Sequence, residues 1–384
     1  MTTRVTTIEL GDPLPTIPLP PGATGLLALL RRGGRPVGLV WLRDVAGEVR
    51  PAQLRAAIAA QAPAGQADPA PPVAPAAEEP LSIVVCTHER PDDLERCLEA
   101  LAPLAARGHE LIVVDNAPRG ARTAEVAARF PARYLREPRP GLDHARNLGL
   151  RAATRPIVAY TDDDAVPDPC WAAALQAPFG DPAVGCVTGL VLPLELETPA
   201  QEQFEVYCAH RRDFQARVLA APATPPAAGG VAGMGANMAF RRELLLRLGG
   251  FDPRLDGGRA TRSGGDTDMF ARVLEAGARI VYTPDALVWH RHRRTDAELR
   301  SCIYGYGVGL YSFLTKRLVE GRDAQALVIG ARWLVGPVVK GLWRRLRGRA
   351  AVPASLLLLE LAGAFEGPLA YARESWAARS GGGL

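Results

Sequence analysis

No two of the six cysteines in this 384-residue chain form a CxxC pair. Cys86, Cys97, Cys170, Cys186, Cys208 and Cys302 are scattered, several of them in apolar runs. That pattern argues against a zinc site or a disulfide framework and for reduced, buried thiols in a cytosolic protein. Long hydrophobic runs are also missing: no stretch reaches about 18 uninterrupted apolar residues, the length a membrane span requires. The nearest, ALVIGARWLVGPVV, is interrupted by Arg332 and Pro337. The opening MTTRVTTIELGDPLP carries no apolar core of a signal peptide. There are no internal repeats. No GxGxxG follows the first strand of the α/β region, which argues against a dinucleotide cofactor.

What the chain does have is an ordinary globular composition, 48% apolar and 22% charged. Its length fits two domains, or one large domain with appendages. The formal charge of +4 is uneven, with +8 on residues 291–384 and −4 on the rest. A basic tail on an acidic body points to an anionic surface, and a membrane fits better than nucleic acid. A solvated helical face is the simpler reading of the same charges.

Residues 61–80, QAPAGQADPAPPVAPAAEEP, are Ala/Pro-rich and without periodicity, hence a linker. They set apart residues 1–60, a small appendage that reads as strand, Gly-rich turn, strand and short helix. From Leu81 the pattern changes. LSIVVC, ELIVVD, ARYLRE and PIVAYT read as strands, with the helices RPDDLERCLEALAPL, ARTAEVAARF and GLDHARNLGLRAA between them. Such alternation predicts a mostly parallel α/β sheet flanked by helices. After about residue 185 the alternation loosens. GANMAFRRELLLRLGG reads as strand and helix, GGDTDMFARVLEAG as a helix from near Met269, and ARIVYTP and ALVWHRH as two strands. Residues 81–295 are the expected α/β domain and 296–384 a helical extension.

Right-handed crossovers place the strand C-termini on one edge, where ligands bind. Three polar clusters stand there: Thr87-His88-Glu89-Arg90, Asp115-Asn116 and Asp162-Asp163-Asp164. A carboxylate at Asp115 suits a base or ribose hydroxyl. Three adjacent aspartates repel one another unless a cation is shared, and Asp162 and Asp164 suit Mg²⁺ or Mn²⁺ together with substrate phosphates. An Asp-rich turn before Pro167 is the competing explanation.

SIVVCTHERPDDLERCLEAL, IVVDNA, RPGLDHARNLGL, VAYTDDDAVPDP, GANMAFRRELLLRLGGFDP, GGDTDMFARVLEAG and VWHRHR, in this order, resemble a family 2 glycosyltransferase of the GT-A fold. The resemblance implies an inverting enzyme that moves a sugar from a nucleotide diphosphate sugar to a hydroxyl, with a Mg²⁺ or Mn²⁺ cofactor. It assigns Thr87, Glu89, Arg90, Asp115, Arg146 and Asp163 to the nucleotide sugar, and Asn147 to the same crevice-lining helix as Arg146. It assigns Asp162, Asp164 and His290 to the metal, and Asp266 to the catalytic base. Two positions depart from the family's usual pattern: Glu89 stands where Asn is commoner, and Gly265 where Glu precedes the base. Asn237 reads as a contact to donor or acceptor, or as a turn former. Asp268 reads as the cap of the helix that follows. His88 and His144 read as local hydrogen-bonding residues. His290 and His292 alternate along a strand, so one of them at most faces the site.

ARWLVGPVVKGLWRRLRGR mixes Trp333, Leu342, Trp343 and Leu346 with Lys340, Arg344, Arg345 and Arg347, as in a helix lying on an anionic membrane. The expected acceptor is a carbohydrate or a lipid-linked envelope glycan. The expected location is cytoplasmic or peripheral at the inner face of the plasma membrane, and no nucleic acid partner is expected. A nucleotidyltransferase and a non-catalytic nucleotide-sugar-binding relative are the alternatives. The first needs a Gly-rich triphosphate loop, for which THERPDD is poorly suited.

Overall fold

The β-branched, Leu-rich N-terminal segments build a small sheet of their own. In this computed structural model, which describes residues 2–61, 79–208, 213–346 and 352–380, β1 (Thr2–Glu9) pairs in parallel with β3 (Ala23–Arg32). Within residues 337–346 only the helical backbone is described, and the Ala/Pro-rich linker lies almost wholly outside the described residues. β4 (Arg35–Arg43) returns antiparallel to β3. The tight turn between them uses Gly33 and Gly34, both with positive φ (57° and 79°), as two-residue hairpins require. β2 (Ile17–Pro18) pairs with β5 (Glu48–Val49), and α1 (Pro51–Gln61) buries Leu54 and Ala57 against this sheet.

This head is docked on the rest of the chain. Leu29 packs with Leu190, Leu192 and Leu287, and Arg31 and Arg35 form 2.5 Å ion pairs with Asp168 and Asp285. Thr3 donates its backbone N–H to the Leu196 carbonyl. β1 was not expected from sequence, because TTRVTTIE has no regular apolar alternation. It forms by adding to the edge of β3.

The main sheet follows the expected alternation. Its strands are β6 (Ser82–Thr87), β7 (Glu110–Asn116), β8 (Arg133–Glu137), β9 (Ile157–Asp162), β10 (Ala165–Pro167), β11 (Val184–Pro193), β12 (Arg217–Leu219), β13 (Asn237–Arg241) and β14 (Arg279–His290). Their order is β10-β14-β11-β13-β9-β6-β7-β8, with β12 on β14. β9, β6, β7 and β8 are mutually parallel, as are β11 and β14, while β13 runs antiparallel between β9 and β11.

Alternate residues of β6 face opposite layers, as the period of two dictates. Ile83 and Val85 pack on α2 (Pro91–Ala106), α3 (Arg122–Ala127) and α5 (Trp171–Gln176). Val84 and Cys86 face α4 (Leu142–Ala152), α7 (Arg242–Arg247) and α8 (Gly265–Glu275). α6 (Pro199–Cys208) packs on the helical extension. The two strands expected in residues 279–292 are one, β14. Its pairing shifts register around Pro284, which has no N–H to give the ladder, and then resumes at Leu287.

The extension comprises α9 (Asp296–Val319), α10 (Gln325–Leu346) and α11 (Ala354–Ser380). α9 opens with a capping box in which Thr295 and Glu298 each accept the other's backbone N–H. α9 and α11 touch backbone to backbone. A Cβ added at Gly307 would lie 2.0 Å from the Glu360 carbonyl oxygen, and one at Gly363 2.2 Å from that of Tyr304. α9 also carries the loop before α8, where Ser263 Oγ donates to the Gly305 carbonyl (3.1 Å). No helix of the described residues is long and apolar enough to cross a membrane. Gly307→Ala and Gly363→Ala are each expected to cost about 1–3 kcal/mol through overpacking, measurable as a lower urea midpoint.

Candidate active site

The C-terminal ends of β6, β7 and β9 stand side by side, with Thr87 opposite Asp115 and Cys86 opposite Asp162 in the ladder. β14 ends at the same edge, because Ala165 pairs with His290 and the Arg291 N–H donates to the Asp164 carbonyl. Asp162, Asp164 and His290 each present one ligand atom, all within 4.8 Å of one another. His290 Nε2 lies 3.0 Å from Asp164 Oδ1 and 3.5 Å from Asp162 Oδ2. Two carboxylate oxygens and an imidazole nitrogen suit a hard or borderline divalent cation. His292 is buried elsewhere, 3.2 Å from Glu205 and 4.6 Å ring to ring from Phe204.

The three aspartates are unequal. Asp163 turns toward Thr87, whose hydroxyl donates to it at 2.8 Å, and burial beside Asp164 pushes its carboxyl up to about 7. Burial also raises Asp164, but His290, Arg293 and Arg90 outweigh this and hold it well below the usual carboxylate range. Arg90 donates to Asp164 at 3.0 Å and Arg293 at 3.4 Å. His290 is pushed up to about 10, because the two carboxylates overcome its burial.

Asp115, one residue before the end of β7, is fully buried. Tyr134 donates to its Oδ2 at 2.8 Å, while Oδ1 has no hydrogen-bond partner among the described residues. Burial raises its carboxyl, and a buried unpartnered acceptor is costly unless a ligand meets it. Asn116 fixes the start of α4 by accepting the Gly141 N–H and donating to the Arg139 carbonyl. Glu89 adopts a left-handed backbone (φ 55°) and accepts the Arg119 N–H, so it ties two loops at the rim. His88 contacts the Asn116 carbonyl and His144 sits beside Arg259, both local roles as expected.

Arg146 is buried and donates to Asp143 at 3.0 Å. Burial would lower its pKa, but the charges of Asp143, Asp266 and Asp162 outweigh this and raise it. Asn147 exchanges two 2.8 Å hydrogen bonds with the backbone of Phe251, which fixes the GGFDP turn. Asp266 is the second residue of α8. Its Oδ2 accepts the Gly235 N–H (2.8 Å) and its Oδ1 the Thr267 N–H (2.7 Å).

Three expectations need correction. α8 begins at Gly265, not near Met269, because Gly264 with φ 115° starts it without a side-chain cap. Asp268 is therefore not the cap; it is buried, with 2.8 Å ion pairs to Arg272 and Lys316. Asn237 is not placed to touch a substrate. Its amide donates both N–H groups to the Leu190 and Ala286 carbonyls and accepts from Trp171 Nε1, all away from the sheet edge. Sequence reasoning assigned no role to Arg293 or Tyr134, nor to Asp143 and Asp256. The signal for Asp143 was a charged residue three positions before Arg146 on one helix face.

These elements carry a recognisable kinship. The profile of Glycosyl transferase family 2 matches residues 82–245. A pre-mycofactocin glycosyltransferase of Mycobacterium tuberculosis is 30% identical over 302 residues, covering 77% of this chain and 57% of that protein. An uncharacterized glycosyltransferase of Mycobacterium bovis is 32% identical over 201 residues, 52% of this chain and 80% of that one. A solved mannosyltransferase of Pyrobaculum calidifontis, in complex with GDP-Man and Mn²⁺, aligns over 83% of this chain and 80% of its own at 20% identity and a TM-score of 0.47. The chain belongs to glycosyltransferase family 2, and its fold is the GT-A architecture expected from the sequence. It spans 57% of the length of the pre-mycofactocin relative.

Asn237→Ala would leave the Trp171 N–H and two carbonyls unpaired. It is expected to cost about 1–3 kcal/mol in denaturant unfolding with no ligand present, as a structural residue should.

Proposed function

We propose that this protein transfers a sugar from a nucleotide diphosphate sugar to an acceptor hydroxyl with inversion, using Mg²⁺ or Mn²⁺ held by Asp162, Asp164 and His290. The observation that carries the reading is the alignment, on one sheet edge, of this ligand set with the unpartnered Asp115 Oδ1. Asp115 accepts from the base or ribose of the donor. Thr87 holds Asp163 toward the ribose or sugar, and Arg90 and Arg293 offset the negative charge of Asp164. A divalent cation bound to this set supplies charge stabilisation to the departing diphosphate.

Asp266 takes the proton of the acceptor hydroxyl as its oxygen bonds to the anomeric carbon. The bond from that carbon to the diphosphate oxygen breaks on the opposite face, and the nucleotide diphosphate leaves with the bonding pair. One base and one displacement give inversion. The two backbone N–H groups on Asp266 fix its carboxylate and leave lone pairs for the proton.

Screening UDP-, GDP- and dTDP-sugars for metal-dependent release of nucleotide tests this reading. EDTA should stop turnover and Mn²⁺ restore it, and Asp266→Asn should lower kcat by about 10²–10⁴-fold. Unchanged turnover in Asp266→Asn would remove Asp266 as the base.

For the acceptor we propose a carbohydrate or lipid-linked glycan of the bacterial envelope, met at the cytoplasmic face of the membrane. α11 supports this by exposing Leu358, Phe365, Leu369 and Trp376, which recur at helical spacing on one stripe. The basic side chains of residues 340–349, central to the sequence argument, lie outside the described ones. Co-sedimentation of the full chain with phosphatidylglycerol vesicles, weakened by salt, is the expected result. No sedimentation at low salt would overturn the membrane reading.

A further inference from the structure

We propose that Asp143 supplies this site with the carboxylate that the chain lacks at position 265, and that it acts as a positioning residue for Arg146 and Asp266. The inference rests on the transferase reading above. The resemblance puts Glu where position 265 carries Gly, and the structure shows what occupies the space. A Cβ added at Gly265 would lie 1.9 Å from Asp143 Oδ2 and 2.7 Å from its Cγ. No side chain fits at 265 while Asp143 keeps its place. The two positions are therefore complementary: a carboxylate delivered from α4 stands where one from α8 would otherwise project.

The placement of Asp143 is enforced through the backbone. Asp256 accepts the backbone N–H of Leu142 and of Asp143, at 2.7 and 2.8 Å, and so fixes the first turn of α4. Asp143 is 1% exposed, and its Oδ2 has no hydrogen-bond partner among the described residues. An orphaned carboxylate oxygen is expensive to bury. The N-terminal turn of α8, against which it lies, offsets part of that cost through the positive end of the helix dipole.

The effect passes through the guanidinium. Asp143 Oδ1 accepts from Arg146 Nη1. Arg146 Nη2 reaches Gly235, where an added Cβ would lie 2.5 Å from it and 3.1 Å from Asp266 Oδ2. Of the carboxylates that act on Arg146, Asp143 and Asp266 do so most strongly, ahead of Asp162. By engaging the guanidinium, Asp143 holds it beside the base without letting it close on the base as an ion pair. Asp266 then keeps its lone pairs for the acceptor proton. When Asp143 no longer accepts from it, Arg146 turns to Asp266 and quenches it.

The test is an exchange of the carboxylate between the two helices. Wild type, Asp143→Ala, Gly265→Glu and the double variant are compared in the full chain, using whichever donor sugar the wild type turns over. Melting temperature and near-ultraviolet circular dichroism check folding. Asp143→Ala should lower kcat by about 10–100-fold with donor KM within about 3-fold, because the donor is held on the strand ends. Gly265→Glu alone should be impaired by collision with Asp143. The double variant should exceed the better single variant by about ten-fold or more, a coupling that independent sites do not show.

A folded double variant no better than the singles would overturn the proposal, as would Asp143→Ala with wild-type kcat. If the double variant does not fold, Asp143→Asn, which keeps the shape, decides. It should lose kcat at an unchanged melting temperature, and wild-type turnover would overturn the proposal. A wild type that turns over no donor overturns the transferase reading itself, and this inference with it.

Discussion

Three consecutive carboxylates at the end of β9 repel one another, and much of the site follows from the groups that offset this, positive charge above all. His290 and Arg293 bring it from the end of β14, and Arg90 from the start of α2. The central sheet orders these elements so that they meet: β14 reaches the aspartates through its short ladder with β10, and β6 delivers Thr87 and Arg90 beside them. Mutual repulsion is also what gives the three their different characters. Asp163 resolves it by turning to a hydroxyl, and Asp164 by gathering cations.

The second half of the site is organised by a chain of backbone anchors. Asp256 holds the first turn of α4, Asn147 holds the turn at Phe251, and Asp266 holds Gly235. Each places a side chain on one element by gripping the backbone of another that is distant in sequence. α9 closes the arrangement by supporting Ser263 and Gly264, the residues from which α8 and its aspartate start. The helical extension therefore braces the start of α8, on which Asp266 stands.

Much of the α/β core was legible in the sequence because its strands are uninterrupted apolar runs and its helices are amphipathic. SIVVCT and LIVVDN announce strands buried on both faces. That the polar residues just after them would meet at one sheet edge was also readable, since parallel strands gather their C-terminal ends there. Less legible was anything decided by distant contacts. Asn237 looks like a substrate residue in GANMAF, but whether its amide faces the crevice or Trp171 depends on a helix 66 residues away in the chain. Asp268 looks like a cap because glycines look like loop, yet Gly264 starts the helix through its backbone angle. The role of Gly265 was unreadable for the same reason: what excludes a side chain there comes from another helix.

The docked head adds a property that the composition of the chain conceals. An Ala/Pro-rich linker marks a break in covalent order, but Leu29 and the two arginines of the first hairpin bridge it. Arg31 grips Asp168, four residues beyond the aspartate cluster, and Arg35 grips Asp285 at the register shift of β14. The same hairpin thus clasps both segments that bring the cluster and His290 together. For heat or denaturant the natural unit of cooperativity then spans the linker, and a chain begun at Leu81 would bare an oily strip of Leu190, Leu192 and Leu287 beside two widowed acids.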